Sequence, residues 1–275
     1  MSSLSQILPN NIKIDNRNPV STRTHRKEVE NVKKDDKPET DQYLDERVNV
    51  SSALILEYFH MITNVPKIKI IDFGCGDGRA AVKMFDILAS HNVKIDKLFA
   101  VDIDPGLKSS EKIEVIKSDL NHPVLQLPDN SFQIIYSLET IEHLINPGLF
   151  VKEANRILVK NGIFAITTPN ILAWYNRVLF LLGSLPIHYE VTETRNYGRL
   201  VANDGDTVGH VRVFSPRAAK ELLVANGFHV LKIKGLRFII DKGNVRKGRG
   251  NFVDSFFAHF PSFSSMFSVI ATKVN

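Results

Sequence analysis

The sequence predicts an α/β fold: one doubly wound, seven-stranded, mostly parallel sheet with an apolar lid insertion. Three observations support this. Short apolar, β-branched runs alternate with segments whose apolar residues recur at helical spacing. These runs show no period of two, as expected for parallel strands covered on both faces. The first of them turns through three glycines directly into a predicted helix.

Composition bounds the class of protein. At 275 residues with 43% hydrophobic content, the chain is long enough for one α/β domain with an appendage. Its single cysteine, Cys75, rules out a disulfide framework. Because no apolar run has the length of a signal peptide core or a membrane span, we expect a cytoplasmic protein. The net charge of +5 permits peripheral contact with a membrane without requiring it.

The first 40 residues are rich in Asn, Ser, Lys, Asp and Thr and show no sustained period, so residues 1–40 are predicted to be a flexible tail. Their mixed charges favour a solvated segment, and no nucleic-acid partner is expected. The domain proper is predicted to span residues 41–275. Ser51 or Ser52 is the expected cap of its first helix, and Pro66 follows that helix.

The glycine turn, residues 74–78, is the centre of the predicted site. Glycine reaches backbone angles closed to other residues and lets a ligand approach the main chain. A turn of this kind between a buried strand and a helix predicts a nucleotide-type cofactor site; a tight turn without a ligand is the alternative. The third glycine follows after one residue, so the G-x-G-x-x-G spacing of dinucleotide sites is absent and NAD is disfavoured.

Residues 70–79, IIDFGCGDGR, resemble the first motif of class I S-adenosylmethionine-dependent methyltransferases, and further similarity runs from about Tyr43 to the C-terminus. The resemblance implies a Rossmann-like fold and S-adenosylmethionine as cofactor. The residues of this motif that it places at the cofactor are Asp72, Gly74, Gly76 and Gly78.

Two more carboxylates are candidates for the same ligand. Asp102 ends the second predicted strand, 24 residues past Gly78, where a carboxylate can accept hydrogen bonds from two ribose hydroxyls. The resemblance further implies that Asp119 accepts from the adenine amine while Ile103 and Leu120 sandwich the ring. A plain turn residue is the alternative for Asp119.

A second cluster, Glu139, Glu142 and His143, follows the fourth predicted strand, at the sheet edge where ligands bind. If Glu139 begins a helical turn, its positions i, i+3 and i+4 share one face. Glu139 is therefore also a candidate cofactor contact. The cluster could hold a divalent cation, or His143 could act as a general base oriented by Glu142. A structural hydrogen-bond cluster is the third alternative.

The Glu-x-x-Glu-His pattern is similar to that of ubiquinone-biosynthesis O-methyltransferases and small-RNA terminal 2′-O-methyltransferases, where it is associated with a divalent metal. His210 lies just before a predicted helix capped by Ser215. It could reach back to the cluster as a further ligand or as the base itself. The predicted ligands of Mg²⁺ or Zn²⁺ are then Glu139, Glu142, His143 and His210.

Two insertions are predicted. Residues 171–210 begin with an apolar lid, which either packs on the domain or also exposes Trp174 and its neighbours to a hydrophobic substrate or a membrane. Residues 240–266 are first basic and then rich in Phe. They are expected to form a solvated loop and a helix with its phenylalanines under the sheet; an anionic membrane surface is the alternative partner. A helix ending at Asn161-Gly162 and a strand Ile163–Thr168 precede both insertions.

Together these features predict a methyltransferase that acts on a small-molecule, lipid-like or glycan hydroxyl. An oxygen acceptor is favoured because a hydroxyl needs help with deprotonation more than an amine or a thiolate does. An NAD-dependent oxidoreductase and a non-catalytic, cofactor-binding, membrane-associated protein are the alternatives. The sequence does not indicate an oligomeric state.

Overall fold

A computed structural model describes residues 41–62, 65–124, 126–200, 207–237 and 250–274. Within them one sheet has seven strands. The strands are β1 (Ile68–Phe73), β2 (Ile95–Asp102), β3 (Ile113–Lys117), β4 (Phe132–Leu138), β5 (Leu158–Pro169), β6 (Phe228–Leu236) and β7 (Met266–Lys273). The α-helices of these residues are α1 (Asp41–Tyr58), α2 (Arg79–Ser90), α3 (Pro147–Ile157), α4 (Trp174–Leu181), α5 (Pro216–Ala225) and α6 (Gly250–Phe257). Two 3₁₀ turns are Phe59–Met61 and Ile141–His143.

The strand order is β3-β2-β1-β4-β5-β7-β6. Strands β1 to β5 pair in parallel, and β7 lies antiparallel between β5 and β6. The predicted mostly parallel, seven-stranded sheet is therefore confirmed. The order reverses between β1 and β4, so a crevice is expected beyond the carboxyl ends of these two strands, the place where open α/β sheets bind ligands.

Helices cover both faces of the sheet, as a doubly wound fold requires. On one face Leu54 of α1 and Met84 of α2 pack in a cluster with Ile70 of β1. On the other, Phe150 of α3 packs in a cluster with Phe73 of β1. Consecutive β1 residues point to opposite faces, so both sides of the strand are buried and no period of two is visible in its sequence.

The start of the first helix was predicted wrongly. Helix α1 already begins at Asp41, so Ser51 and Ser52 lie inside it and are buried. The Ser52 hydroxyl donates to the Asn49 carbonyl at 3.1 Å, and the Ser51 Oγ lies 3.5 Å from Ser268 Oγ on β7. Small hydroxyl side chains let the helix approach the sheet here, and they do not cap it.

The Asn161-Gly162 pair also has a different role from the one predicted. Helix α3 ends at Ile157, and β5 runs on from Leu158 through the pair. Asn161 has φ +60°, and a Cβ on Gly162 would lie 2.7 Å from the Leu158 side chain. Asn-Gly indicates a left-handed backbone position, which is used here for a bend within the strand instead of a helix C-cap.

The lid is only partly packed. Trp174 stacks on Phe257 of α6 with ring centroids 5.5 Å apart, and the buried amide of Asn176 pairs with the backbone of Ile187. The side of α4 opposite to Asn176 is exposed, with Leu181 88% accessible. Of the expected exposed side chains, Trp174 therefore packs on α6, whereas apolar neighbours such as Leu181 face solvent.

The expectation that the phenylalanines pack under the sheet is wrong for most of them. Phe267 is buried in β7, but four others on and after α6 are exposed by 38–76%: Phe252, Phe256, Phe260 and Phe263. Helix α6 attaches through its other side, where Asp254 accepts from Ser265 and Trp174. The basic residues of this insertion and the 1–40 tail lie outside the described residues. Among the described helices, none has both the length and the apolar character needed to cross a membrane.

Candidate functional site

The glycine turn joins β1 to α2 at the carboxyl edge of the sheet. The backbone N–H groups of Gly74 and Cys75 both donate to the Val101 carbonyl of β2, at 2.8 and 3.1 Å. Gly74, Gly76 and Gly78 all have positive φ, at 85°, 50° and 85°. Such a backbone is strained for residues with a Cβ, which explains three glycines in this turn.

The three glycines have different surroundings. A Cβ on Gly74 would lie 2.1 Å from Thr140, and one on Gly78 would lie 2.4 Å from Leu107, so both positions are closed by protein. A Cβ on Gly76 would meet nothing within 4 Å. Of the three glycines, only Gly76 therefore leaves space for a ligand beside the main chain. We call this space the open cradle, and it fits close approach by a cofactor.

Asp102 is held at the end of β2 by the turn itself. Its Oδ2 accepts from the Gly76 N–H and its Oδ1 from the Asp104 N–H, both at 2.9 Å. A carboxylate has about four lone-pair directions, so each oxygen keeps one for a ligand. The predicted ribose acceptor is thus pre-oriented beside the cradle.

Asp72 is the second-to-last residue of β1 and is 1% exposed. Burial, and then the neighbouring Asp102 carboxylate, raise the pKa of Asp72 to about 8, while Tyr136 and Arg47 oppose the rise. Its burial leaves this carboxyl little surface for a ligand.

The residues predicted to contact adenine differ in their contacts and in their exposure. Asp119 Oδ1 accepts from the N–H and the amide of Asn121, each at 2.9 Å, and Asn121 in turn accepts from the Ile145 N–H at 2.8 Å. Leu120 belongs to the core at 7% exposure, while Ile103 is 41% exposed. Of the two predicted ring contacts, only Ile103 has a freely accessible side chain.

Glu139 does not begin a helical turn, contrary to prediction. It has φ +56°, and the 3₁₀ turn starts two residues later at Ile141. Its side chain turns toward α1, where Oε2 accepts from the Tyr43 hydroxyl at 3.1 Å. Burial raises the pKa of Glu139, and the nearby Arg47 guanidinium opposes that rise. The strand end imposes this left-handed residue, which separates Glu139 from the other cluster members.

Glu142, His143 and His210 do converge. One ligand atom from each lies within 4.8 Å of the other two, and Glu139 is not in this group. Glu142 Oε2 accepts from Thr168 at 2.9 Å, while Oε1 faces His210 Nε2 at 4.0 Å. Within the described residues that Oε1 atom has no hydrogen-bond partner. Three of the four predicted metal ligands are therefore together.

The charges in this cluster follow from burial. Burial and the neighbouring Glu139 raise the pKa of Glu142 well above 4.5. Burial lowers the pKa of His143, and burial together with His143 lowers the pKa of His210 to about 4. At neutral pH both imidazoles are thus uncharged, the form that accepts a proton or binds a metal.

One contact assigns the tautomer of His143. Its Nδ1 lies 3.0 Å from the Gly209 carbonyl oxygen. Because a carbonyl only accepts, Nδ1 carries the hydrogen and Nε2 keeps the lone pair. The basic nitrogen of His143 is therefore Nε2.

Comparison with known proteins decides the family. A family model described as a methyltransferase domain matches residues 42–233, well over half of the chain. The chain belongs to this methyltransferase family. The predicted resemblance is confirmed, and S-adenosylmethionine is the cofactor that the family implies.

Three relatives of this methyltransferase are informative. A Mycolicibacterium smegmatis protein named "probable S-adenosylmethionine-dependent methyltransferase" is 25% identical over 62% of this chain and 65% of its own. Phosphoethanolamine N-methyltransferase 1 of Arabidopsis thaliana is 28% identical over 55% and 31%. The ubiquinone biosynthesis O-methyltransferase of Pelagibacter ubique is 32% identical over 38% and 42%. The chain thus spans less than two thirds of each relative, and two of the names specify different acceptor atoms.

A solved structure shows the same fold. The CurJ carbon methyltransferase is 11% identical, with a TM-score of 0.51 over 83% of this chain and 54% of that one. At this identity the similarity concerns the fold alone.

Sequence reasoning missed several residues that the methyltransferase brings to the site. His188 packs beside His210 with ring centroids 5.5 Å apart, and Glu190 accepts from the loop that carries His210. Both come from the polar insertion, which has no periodicity to mark them. Tyr43 was also missed, although it lies on α1 four residues before Arg47, a spacing that places the two on one face of the helix.

Proposed function

We propose that the protein transfers the methyl group of S-adenosylmethionine to a hydroxyl oxygen of a small-molecule, lipid-like or glycan acceptor. The observation that supports an oxygen acceptor is the convergence of Glu142, His143 and His210 at the carboxyl edge of the sheet. Nε2 of His143 would take the proton that the hydroxyl loses as its oxygen bonds to the methyl carbon and the bond from that carbon to sulfur breaks. An amine acceptor would need this help less.

The cofactor site is proposed to use the residues around the open cradle. When bound, S-adenosylmethionine supplies a methyl group activated by a positively charged sulfur. Gly76 offers close main-chain contact, and Asp102 offers two lone pairs to vicinal ribose hydroxyls. Asp119 remains the proposed acceptor for the adenine amine, with Ile103 against the ring. Holding the two reactants in line is the main contribution of such a site.

The alternative to a general base is a divalent cation on Glu142, His143 and His210, since the one lone pair of His143 Nε2 can serve only one of the two roles. A buried carboxylate and two neutral imidazoles are a donor set that suits zinc better than magnesium, which prefers oxygen ligands. A bound ion would supply Lewis-acid chemistry and would compensate the buried charge of Glu142, and the protein's part is to hold these three donors. Glu139 is left out of this proposed ligand set because its side chain turns to Tyr43.

Among the proposed acceptors, a lipid-like one is supported by the exposed side of α4. Ile171, just before this helix, lines a cavity of about 10 Å³ together with Glu142, His188 and His210. Val178, Phe180, Leu181 and Leu182, which follow, are 49–88% exposed. Exposed apolar groups that lead away from a site suit a hydrophobic acceptor or the surface of a membrane that contains it.

The test uses S-adenosylmethionine with an isotopically labelled methyl group and acceptors that carry phenolic, sugar or long-chain alcohol hydroxyls. Phosphoethanolamine serves as an amine acceptor. We expect label on oxygen, with a rate reduced about 10²- to 10⁴-fold in His143→Gln, the usual contribution of a general base. His229→Gln is the matched control because His229 is exposed and lies at the start of β6, at the edge of the sheet opposite to the carboxyl ends of the parallel strands. Label on nitrogen, or full activity of His143→Gln, would contradict the proposal.

A further inference from the structure

Both imidazoles of the cluster depend on one short loop, Val208–His210. His210 belongs to it, and the Gly209 carbonyl accepts from Nδ1 of His143. Directly after the loop, the chain contacts the cluster again, since the N–H groups of Val211 and Arg212 both donate to the Glu142 carbonyl at 2.9 Å. The position of this loop therefore determines where both basic nitrogens lie.

The loop is held by a single carboxylate from the lid insertion. Glu190 Oε1 accepts from the Val208 N–H at 2.8 Å, and Oε2 accepts from the N–H groups of Gly209 and His210 at 2.9 and 3.2 Å. Gly209 has φ +84°, a conformation that turns successive N–H groups toward one anion. Hydrogen bonds to an ionised acceptor are shorter and stronger than neutral ones.

We propose that Glu190 is a positioning residue, which orients His143 and His210 toward Glu142 by binding three consecutive backbone N–H groups of the Val208–His210 loop. It touches neither reacting group and acts through the loop; its negative charge also opposes the fall that burial causes in the pKa of both imidazoles. The inference rests on the proposed roles of the two histidines. It also links the insertion to the site, because Glu190 follows α4 in the chain and bonds to the loop that carries His210.

The test compares Glu190→Ala and Glu190→Gln with Glu193→Ala. Glu193 is an exposed acid of the same insertion, and only its backbone carbonyl makes a described contact, to Thr207. Nitrogen-15 NMR of labelled histidines reports the tautomer directly. We expect wild-type His143 to carry its hydrogen on Nδ1, Glu190→Ala to lose this preference, and Glu190→Gln, whose amide oxygen still accepts, to retain part of it.

Hydrogen exchange provides a second readout for the same variants. Amides of residues 208–210 are expected to exchange at least about tenfold faster in Glu190→Ala, with no change in Glu193→Ala. Wild-type tautomer and exchange in both Glu190 variants, or an equal change in Glu193→Ala, would overturn the inference. If Glu190→Ala does not fold, an unchanged spectrum and unchanged exchange in Glu190→Gln overturn it alone. Neither readout involves methyl transfer, so failure of the proposed reaction would be seen separately, in the labelling assay.

Discussion

The backbone N–H of Gly76 donates a 2.9 Å hydrogen bond to Oδ2 of Asp102, which ties the glycine turn after β1 to the end of β2. The same carboxylate accepts from the Asp104 N–H. The open main chain at Gly76 and the proposed ribose acceptor are thus parts of one rigid unit. A substitution on either side should affect cofactor binding more than folding.

Removing the Asp102 carboxylate should weaken cofactor binding. In Asp102→Ala two ribose hydroxyls lose a charged acceptor, worth about 1.5–3 kcal/mol per hydrogen bond, so the Kd for S-adenosylhomocysteine should rise by about 10²- to 10⁴-fold. Calorimetric titration measures it. Asp104→Ala is the control, since the Asp104 side chain is 86% exposed and pairs only loosely with Lys117 at 3.5 Å. Equal affinity of wild type and Asp102→Ala would rule out the ribose role.

The glycines of the turn should respond differently to the same substitution. Gly76→Ala has room for its methyl group and should cost about 1–2 kcal/mol of folding free energy for the left-handed backbone, but it should abolish S-adenosylhomocysteine binding because the methyl group fills the cradle. Gly74→Ala should destabilise the fold more, since its Cβ would overlap Thr140. Thermal unfolding and calorimetry separate the two effects. A Gly76→Ala protein that binds normally would show that the cradle is not the cofactor site.

Zinc should stabilise the protein more than magnesium does. After removal of metals with a chelator, Zn²⁺ at about 100 times its Kd should add about 2.7 kcal/mol to the free energy of unfolding, seen as a higher Tm. His210→Ala should lose this increment because one of three ligands is gone. His122→Ala, at an exposed position, should keep it. The metal proposal fails if magnesium stabilises as much as zinc, or if His210→Ala responds like wild type.

Stability should fall with rising pH through the titration of Asp72. The pKa of Asp72 is about 8 in the folded protein against 3.8 as the ordinary value, so the folded state holds the proton more tightly. The stability that this proton provides is complete below pH 3.8 and is lost as pH rises toward 8. Asp72→Asn, which cannot ionise, should flatten the slope and be more stable than wild type at pH 8 by about 1–3 kcal/mol. Denaturant unfolding gives the free energy of unfolding at each pH. If the curves of this free energy against pH are parallel for wild type and Asp72→Asn, the expectation is wrong.

The two sides of α4 should behave oppositely. Leu179→Ser removes an apolar contact from an 8% exposed position and should lower the Tm, whereas Leu181→Ser, at 88% exposure, should not. Leu181→Ser should instead weaken binding to lipid vesicles, measured by co-sedimentation, if the exposed side meets a membrane. Equal vesicle binding by wild type and Leu181→Ser would exclude Leu181 from that contact.

Local patterns predicted the sheet and the cofactor turn. Residues 70–79 carry their own information, because a buried strand, closely spaced glycines and a helix start are all features of neighbouring residues. Asp102 was found for the same reason, at the end of the next strand. Ser51, Ser52 and Asn161-Gly162 were misplaced because hydroxyl and Asn-Gly patterns satisfy more than one backbone arrangement, and packing selects among them.

By itself the sequence determined the fold class and the backbone conformation of the glycine turn, since chain periodicity and glycine conformation are local properties. Only the tertiary structure decided the composition of the second cluster. Glu139 leaves it because the end of β4 forces a left-handed residue that aims its side chain at Tyr43. His210 enters it because Glu190 and the Glu142 backbone hold a loop some 70 residues downstream against the 3₁₀ turn, a long-range arrangement that no local pattern in the chain encodes.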